Sequence, residues 1–388
     1  MRSNDPYWSF RQQRRPGLRH AGYGLAAALA FGLMTGGPAW SQTPTVHPTK
    51  GQSDNVFAAR WPSSTLPGAD SVAVRTIAYS SILASTSLFA RQAQRPPQAE
   101  STVRPRPKTE IMPFAHAPFP YRGLVPGTDR PFLDVDSDGK KGHRTARGAV
   151  LWEHETFNDS RVLLHIPPGF DINRPAVMVV FFHGHGAELT RDVLHRQNVP
   201  AQITLSGTNA VLVAPQFAVD TADSSAGRFW QPGGFARFVN EAAEKLASLN
   251  GNPATTKQFA KMPVIIVAYS GGYRPAAWSI RNGGLGARLH GLVLLDGLYG
   301  EIDSFADWIK NSKSKFFVSA YTSSTRRQNL ALANILSEKN VPVSAGIGRH
   351  LWNGGVALLA TDSDVSHQDF VTQAWTENPI ADILAHLN

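Results

Sequence analysis

Residues 263–277 read Pro-Val-Ile-Ile-Val-Ala-Tyr-Ser-Gly-Gly-Tyr-Arg-Pro-Ala-Ala, a strand-like run followed by a turn and a helix-like run. The β-branched residues predict a buried strand over 264–268, and Pro275 suits the first turn of the helix. Ser270 would then lie on a sharp turn that exposes its hydroxyl, with small residues two positions before and after it. This setting is typical of a catalytic nucleophile, although a tight turn with no chemical role would use the same residues.

The surrounding sequence alternates between strand-like and helix-like segments. Strands are predicted over 162–166, 176–182, 210–214, 264–268, 291–295, 316–321, 341–347 and 356–360, and helices over 188–197, 235–249, 273–281, 302–310 and 326–339. Continuous β-branched strands separated by helices predict an α/β fold with a mostly parallel sheet covered on both faces. Functional groups of such sheets gather beyond the carboxyl ends of the strands, so the residues that follow each strand matter most.

A glycine-rich turn follows the strand predicted over 176–182. It reads His183-Gly184-His185-Gly186, and its glycines would let backbone N–H groups approach a developing oxyanion. Two histidines one residue apart could instead bind a metal, but the sequence offers no obvious third ligand. A plain turn with a structural histidine is the other alternative.

An aspartate and a late histidine complete the set of candidates. Asp296 follows the strand 291–295, where a buried carboxylate needs a partner. A histidine would satisfy the carboxylate and be oriented by it, whereas a turn-forming or helix-capping aspartate is equally common. His367 lies in a polar loop after the last predicted strand, and His350 is its main rival.

The composition predicts a globular protein with a sizeable core, since 42% of the 388 residues are hydrophobic. There is no cysteine, which excludes disulfides and thiolate chemistry. The net charge of +9 is concentrated before residue 111, because residues 111–388 carry 25 basic and 24 acidic side chains. The predicted domain therefore gives no indication of a nucleic-acid partner.

The N-terminus predicts export. Residues 1–41 combine five arginines, a short apolar core and small residues before a cleavage site after Ser41, which is typical of a secretory signal peptide. The adjacent Arg14 and Arg15 hint at the twin-arginine route, and an uncleaved anchor is disfavoured because the apolar core is short. We therefore expect a periplasmic or secreted protein with no stable membrane span after cleavage.

Residues 42–110 are rich in Pro, Ser, Thr, Gln and Arg and predict a disordered linker, which leaves 111–388 as the catalytic domain. Within that domain, Asp134-Val135-Asp136-Ser137-Asp138-Gly139 matches the start of a calcium loop. Thr145 occupies the position of the bidentate carboxylate, so a solvated turn is the better interpretation.

Over roughly residues 150–388 the chain resembles the α/β-hydrolase superfamily. The resemblance is carried by His183-Gly184-His185-Gly186, by the elbow Ala268-Tyr269-Ser270-Gly271-Gly272, by Asp296 and by His367. The order Ser, Asp, His is the one that this superfamily uses. The chain departs from the common pattern in having Ala268 in place of glycine and an acid after the strand next to the elbow. If that acid is wrong, the candidates are Glu301, Asp303, Asp362 and Asp364.

The resemblance implies two-step serine hydrolysis without a cofactor or metal. Ser270 would attack a carbonyl, His367 would take its proton and Asp296 would orient His367. The N–H of Gly271 and one from the loop His183–Gly186 would form the oxyanion hole.

Residues beside the elbow are candidates for substrate contact. They are Tyr269, Tyr273 and Arg274, although Arg274 could form a buried ion pair behind the elbow, and residues 216–234 could form a lid. The leading hypothesis is an exported hydrolase of small or polymeric carboxylic esters. The alternatives are a peptidase or amidase with the same triad and a non-catalytic binding protein. The oligomeric state cannot be predicted.

Overall fold

The structure is a computed structural model that describes residues 106–312, 314–361 and 364–387. The predicted signal peptide over 1–41, its cleavage site after Ser41 and the predicted linker up to residue 105 lie outside the described residues. The first strand starts at Lys108, within the last three residues of the segment predicted as a linker.

A large sheet forms the centre of the domain and a small one lies beside it. The strands are β1 (Lys108–Pro113), β2 (Val135–Ser137), β3 (Lys140–Arg144), β4 (Val150–Trp152), β5 (Arg161–Ile166), β6 (Val177–Phe182), β7 (Ala210–Pro215), β8 (Val264–Tyr269), β9 (Leu289–Leu295), β10 (Phe316–Tyr321) and β11 (Gly355–Ala360). The large sheet has the order β1-β5-β7-β6-β8-β9-β10-β11. Strand β5 runs antiparallel to both β1 and β7, and all pairs from β7 to β11 are parallel.

Helices cover both faces of the large sheet. They are α1 (Val199–Leu205), α2 (Gly234–Leu249), α3 (Thr256–Lys261), α4 (Tyr273–Asn282), α5 (Ile302–Lys310), α6 (Arg326–Glu338) and α7 (Pro379–Ala385), with a short π-type helix at Leu189–Arg196. Buried residues of α2 to α6 pack on one face, and those of α1, α7 and the π-type helix pack on the other. The predicted fold class, a mostly parallel α/β sheet with helices on both faces, is confirmed.

The central strand β8 shows why the sheet forms. All six of its residues are buried, and alternate side chains enter the two separate cores: Ile266 packs on one face, and Ile265 and Val267 pack on the other. A fully buried aliphatic side chain contributes about 1.5–3 kcal/mol. A strand buried on both faces must therefore be continuously apolar, as this one is.

The small antiparallel sheet β2-β3-β4 contains the motif that resembled a calcium loop. Asp138 and Gly139 both have positive φ, at 52° and 76°, and connect β2 to β3. This is the conformation of a tight hairpin turn, for which Asp-Gly is a favoured pair. Asp134 accepts the N–H of Arg144 at 2.8 Å, so its carboxylate supports the hairpin.

The strand predicted over 341–347 is wrong. Pro342 interrupts this segment, Val343 is 37% exposed, and only Ser344 forms a bridge to Ala357. Strand β11 pairs with β10 instead and completes the edge of the sheet. In the part of the chain that the structure describes, none of the helices is long and apolar enough to cross a membrane.

Candidate active site

Ser270 lies on the turn between β8, which ends at Tyr269, and α4, which begins at Tyr273. Its φ of 51° is in the left-handed region, which costs a non-glycine residue about 1–3 kcal/mol and is typical of functional positions. A Cβ atom at Gly272 would lie 2.5 Å from the carbonyl oxygen of Phe182, the last residue of β6. The small residue predicted two positions after the serine is therefore needed for the close approach of the helix to β6.

His367 connects the serine to the aspartate. Its Nε2 lies 2.8 Å from Ser270 Oγ, and its Nδ1 lies 2.6 Å from Asp296 Oδ2. With Nδ1–H donating to the carboxylate, Nε2 is left to accept the serine proton. The structure thus brings the three candidates into one hydrogen-bonded chain, although they are 97 and 71 residues apart in sequence.

Asp296 is fully buried at the carboxyl end of β9. Besides His367, its carboxylate accepts the N–H of Thr322 at 3.0 Å and the hydroxyls of Thr322, Ser324 and Thr325 at 2.8, 2.8 and 2.5 Å. Burial alone would raise the pKa of Asp296, but the hydrogen bonds from His367, Thr325 and Thr322 hold that pKa well below its usual range. Asp296 is therefore a carboxylate at neutral pH.

The hydroxyls around Asp296 were not predicted as part of the site. Thr322, Ser324 and Thr325 directly follow β10, the neighbour of β9 in the sheet. The carboxyl ends of adjacent parallel strands lie on the same side of a sheet. The run of hydroxyl residues after β10 was therefore the sequence signal that could have indicated hydrogen-bond donors for Asp296.

Tyr269 lines the cavity and also contacts His367. It is 6% exposed, its hydroxyl donates to the His367 carbonyl oxygen at 2.7 Å, and the two rings stack with centroids 5.2 Å apart. Burial raises the pKa of Tyr269, so its hydroxyl stays protonated and remains a donor. Tyr269, which was predicted as a substrate contact, therefore also holds the loop that carries His367.

His183, in the glycine-rich loop before Ser270, is buried and hydrogen-bonded through both ring nitrogens. Its Nδ1 donates to the Gly184 carbonyl at 2.8 Å, and its Nε2 accepts the N–H of Phe217 at 2.9 Å and lies 3.1 Å from Gln216 Nε2. Burial lowers the pKa of His183 to about 4, so it is neutral at pH 7. The His183 side chain therefore holds the loop in shape and does not face the site.

The backbone of the glycine loop approaches the serine closely. A side chain at Gly184 would come within 2.8 Å of Ser270 Cβ. Gly186 is not available as an oxyanion donor, because its N–H already donates to the Thr221 carbonyl at 2.9 Å. Among the described residues, no acceptor is found for the N–H of Gly184 or His185. Gly271 is buried against the other side of this loop, where a side chain would contact the His185 ring.

The serine and histidine open into a cavity of about 1490 Å³. Tyr273 and Arg274, predicted as substrate contacts, both line it. Arg274 is exposed, so the buried ion pair considered for it behind the elbow is wrong. The cavity is also lined by Tyr299, whose ring lies edge-on to His367 with centroids 6.1 Å apart. Residues 221–225 form part of the wall, within the segment considered as a lid.

Glu301, Asp303 and His350, three of the rival candidates, lie away from the hydrogen bonds of His367. Glu301 forms an ion pair with Arg281 at 3.6 Å, and Asp303 is exposed on α5. His350 is exposed and does not line the cavity. Asp364 is exposed, and Asp362 lies outside the described residues. Within those residues, no three His, Asp or Glu side chains are grouped so as to hold a metal ion.

The large sheet is mostly parallel, and Ser270, with its positive φ, lies between the central strand and the following helix. This is the arrangement of an α/β-hydrolase fold with a nucleophile elbow. No family model and no curated protein matches the chain in sequence.

Solved structures with a similar arrangement include a feruloyl esterase module from Clostridium thermocellum, with 15% identity over 69% of this chain and 95% of that chain, and a TM-score of 0.36. An S-formylglutathione hydrolase from Agrobacterium tumefaciens has 12% identity over 65% and 96% of the two chains, and a TM-score of 0.37. A thermostable esterase from Pseudomonas putida has 13% identity over 66% and 86%, and a TM-score of 0.35. Similarities this distant do not transfer a function, so the function must be argued from the site itself.

Proposed function

We propose that the protein is a serine hydrolase that cleaves carboxylic esters through an acyl-enzyme intermediate. The observation that carries the proposal is the hydrogen-bonded chain from Asp296 through His367 to Ser270, which ends at an open cavity. A buried carboxylate, a histidine held in one tautomer and a serine hydroxyl on a strained turn together supply a nucleophile, its base and the group that orients the base.

In the first step, Ser270 Oγ attacks the ester carbonyl carbon while His367 Nε2 takes the serine proton. The Oγ–C bond forms, and the carbonyl oxygen becomes an oxyanion. The N–H groups of Gly271 and of Gly184 or His185 are the proposed donors to that oxyanion, because they flank Ser270 and Gly186 is already bonded elsewhere.

Collapse of this intermediate breaks the bond to the alcohol, which leaves with the proton held by His367. A water molecule then gives its proton to His367 and attacks the acyl carbon, and His367 returns a proton to Ser270 Oγ as the acid is released. Throughout, the lowered pKa of Asp296 keeps a negative charge beside the imidazolium that forms in each half of the reaction.

The proposed location is the periplasm or the exterior of the cell. This part of the proposal is supported by the arginines, the apolar core and the small residues of 1–41, with cleavage after Ser41. N-terminal sequencing of the mature protein from the native host would test it, and an intact N-terminus would contradict it.

Hydrolysis of 4-nitrophenyl acetate, with 4-nitroacetanilide as the amide counterpart, tests the reaction type. We expect ester turnover that Ser270→Ala abolishes. Ser279→Ala is a matched control, because Ser279 is a buried serine of α4 whose hydroxyl only donates to the Pro275 carbonyl. Turnover that survives in Ser270→Ala would contradict the proposal, and faster cleavage of the anilide would favour the amidase alternative.

A further inference from the structure

The cavity in front of Ser270 has an uneven charge. Its lining includes five arginines and two aspartates: Arg130, Arg144, Arg147, Arg196, Arg274, Asp192 and Asp223. Residues 111–388 as a whole are nearly neutral, with 25 basic and 24 acidic side chains. The positive charge is therefore a local concentration at the site and does not reflect the composition of the domain.

The two aspartates leave most of these arginines uncompensated. Asp192 is already bound by Arg196 at 2.7 Å and by Arg191, outside the cavity lining, at 2.6 Å. Asp223 accepts the N–H of Ser225 at 2.7 Å. Within the described residues, the side chains of four of the five arginines form no ion pair: Arg130, Arg144, Arg147 and Arg274.

Some arginines outside the cavity lining are paired with nearby carboxylates. Arg122 binds Glu153 at 3.0 Å, and Arg161 binds both Asp159 and Glu188, at 2.7 and 2.9 Å. Since several guanidinium groups without a carboxylate partner line the same cavity, they can bind an anion supplied from outside.

Three of the four unpaired arginines come from separate parts of the fold. Arg274 is the second residue of α4, one turn beyond the nucleophile. Arg147 lies at the tip of the hairpin between β3 and β4, and Arg130 lies in the loop before β2. All three are exposed side chains that line the same cavity as Ser270 and His367. They therefore surround the space that a substrate must occupy.

From this placement we infer that the preferred substrates are esters whose acid or alcohol part carries a negatively charged group, such as a carboxylate. Guanidinium groups donate paired hydrogen bonds to carboxylates and are always charged at physiological pH. A cleft lined by one sign of charge also raises the local concentration of oppositely charged substrates. This inference rests on the proposed function and adds the substrate class to it.

Two pairs of esters test the inference on the full mature protein. For the acid part, the pair is 4-nitrophenyl hydrogen adipate and its methyl ester, and for the alcohol part it is 4-acetoxybenzoate and methyl 4-acetoxybenzoate. We expect the charged member of at least one pair to have a kcat/KM about tenfold higher or more. Because salt screens charges over about 10 Å at 0.1 M and about 3 Å at 1 M, this preference should shrink as sodium chloride is raised.

Arginine variants then test which side chains cause the preference. We expect Arg147→Gln, Arg274→Gln and Arg130→Gln to lower the ratio of charged to neutral kcat/KM, each by about threefold to tenfold, which corresponds to about 0.7–1.4 kcal/mol. Arg174→Gln is the matched control and should leave the ratio unchanged. Arg174 is an exposed arginine in the loop before β6, at the amino end of that strand, whereas the site lies beyond the carboxyl ends of the strands. A general structural loss would lower both kcat/KM values and leave their ratio unchanged.

The outcomes separate this inference from the proposed function. Turnover of both members of each pair with equal kcat/KM at low salt would overturn the inference and leave the hydrolase proposal intact. A preference that persists unchanged in all three arginine variants would also overturn it. No turnover of any of the four esters would contradict the proposed function, and the inference would fail with it.

Discussion

Two histidine-bearing loops flank Ser270, and their surroundings are opposite. His367 is about one-third exposed and contacts a buried carboxylate on one side and the serine hydroxyl on the other. His183 is buried, bonded to the Gly184 carbonyl and the Phe217 N–H, and neutral because burial lowers its pKa to about 4. The same side chain is thus placed for proton transfer in one loop and for structural support in the other.

The partners of each ring explain the difference. A carboxylate beside Nδ1 stabilises the imidazolium that forms when Nε2 accepts a proton. Backbone partners on both ring nitrogens of His183 leave no site for a further proton without breaking a hydrogen bond. Of these two histidines, His367 therefore has the partners that the proposed base requires, and His183 does not.

The largest effect should come from removing the charge of Asp296. Asp296→Asn keeps the shape of the side chain but no longer stabilises the His367 imidazolium, and we expect kcat for ester hydrolysis to fall about 10³–10⁴-fold. Glu301→Gln is the control, because Glu301 pairs with Arg281 away from the site and should keep near-wild-type activity. Near-full activity in Asp296→Asn would show that the acid is assigned to the wrong residue.

The second-largest effect should be a decrease in the free energy of unfolding at acidic pH, caused by the buried His183. The pKa of His183 is about 4 when folded and about 6.5 when unfolded, so the unfolded state binds the proton more readily. The contribution of His183 to stability is complete above about pH 6.5 and is lost as the pH falls towards 4, by about 3 kcal/mol.

Denaturant unfolding between pH 7.5 and pH 4.5 measures this loss. His165, whose pKa is also lowered to about 4 by burial, adds a loss of the same sign. In His183→Gln the stability should depend less steeply on pH, even if the variant is less stable overall. A wild-type free energy of unfolding that stays constant over this range would contradict the neutral, buried state of His183.

The smallest effect concerns the position of His367. Tyr269→Phe removes the hydroxyl that donates to the His367 carbonyl but keeps the stacked ring. One hydrogen bond contributes about 1 kcal/mol, so we expect kcat to fall about fivefold. Tyr121→Phe removes the same kind of bond, to the Leu124 carbonyl, and should leave kcat unchanged. An equal fall of kcat in both variants would argue against a positioning role for Tyr269.

The sequence predicted the centre of the fold well, because β8 and its neighbours are buried on both faces and must be continuously apolar. It placed Ser270 on the turn for the same reason, since a short buried strand followed by small residues and a helix has few other arrangements. The edges were harder to predict. Strand β1, the small sheet and α1 follow no strong periodicity, and the segment 341–347 was apolar enough to resemble a strand.

Three predicted site residues, Ser270, His367 and Asp296, lie together in the structure, but their supporting contacts were not predicted. The role of the His183 side chain was left open by the sequence, because its partner Phe217 is supplied by tertiary packing. The arginines of the cavity wall were hidden for a similar reason. Arg130 and Arg147 lie well before the elbow in sequence, and only the fold brings them to the same cavity.

Ser270 should react as a nucleophile that His367 activates. Labelling with a fluorophosphonate, followed by mass measurement of the intact protein and of its peptides, tests this proposed role. We expect one adduct per chain on the peptide that contains Ser270, no adduct in Ser270→Ala, and much slower labelling in His367→Ala. A folded wild-type protein that remains unlabelled, or a Ser270→Ala variant that is labelled as fast as the wild type, would contradict this role.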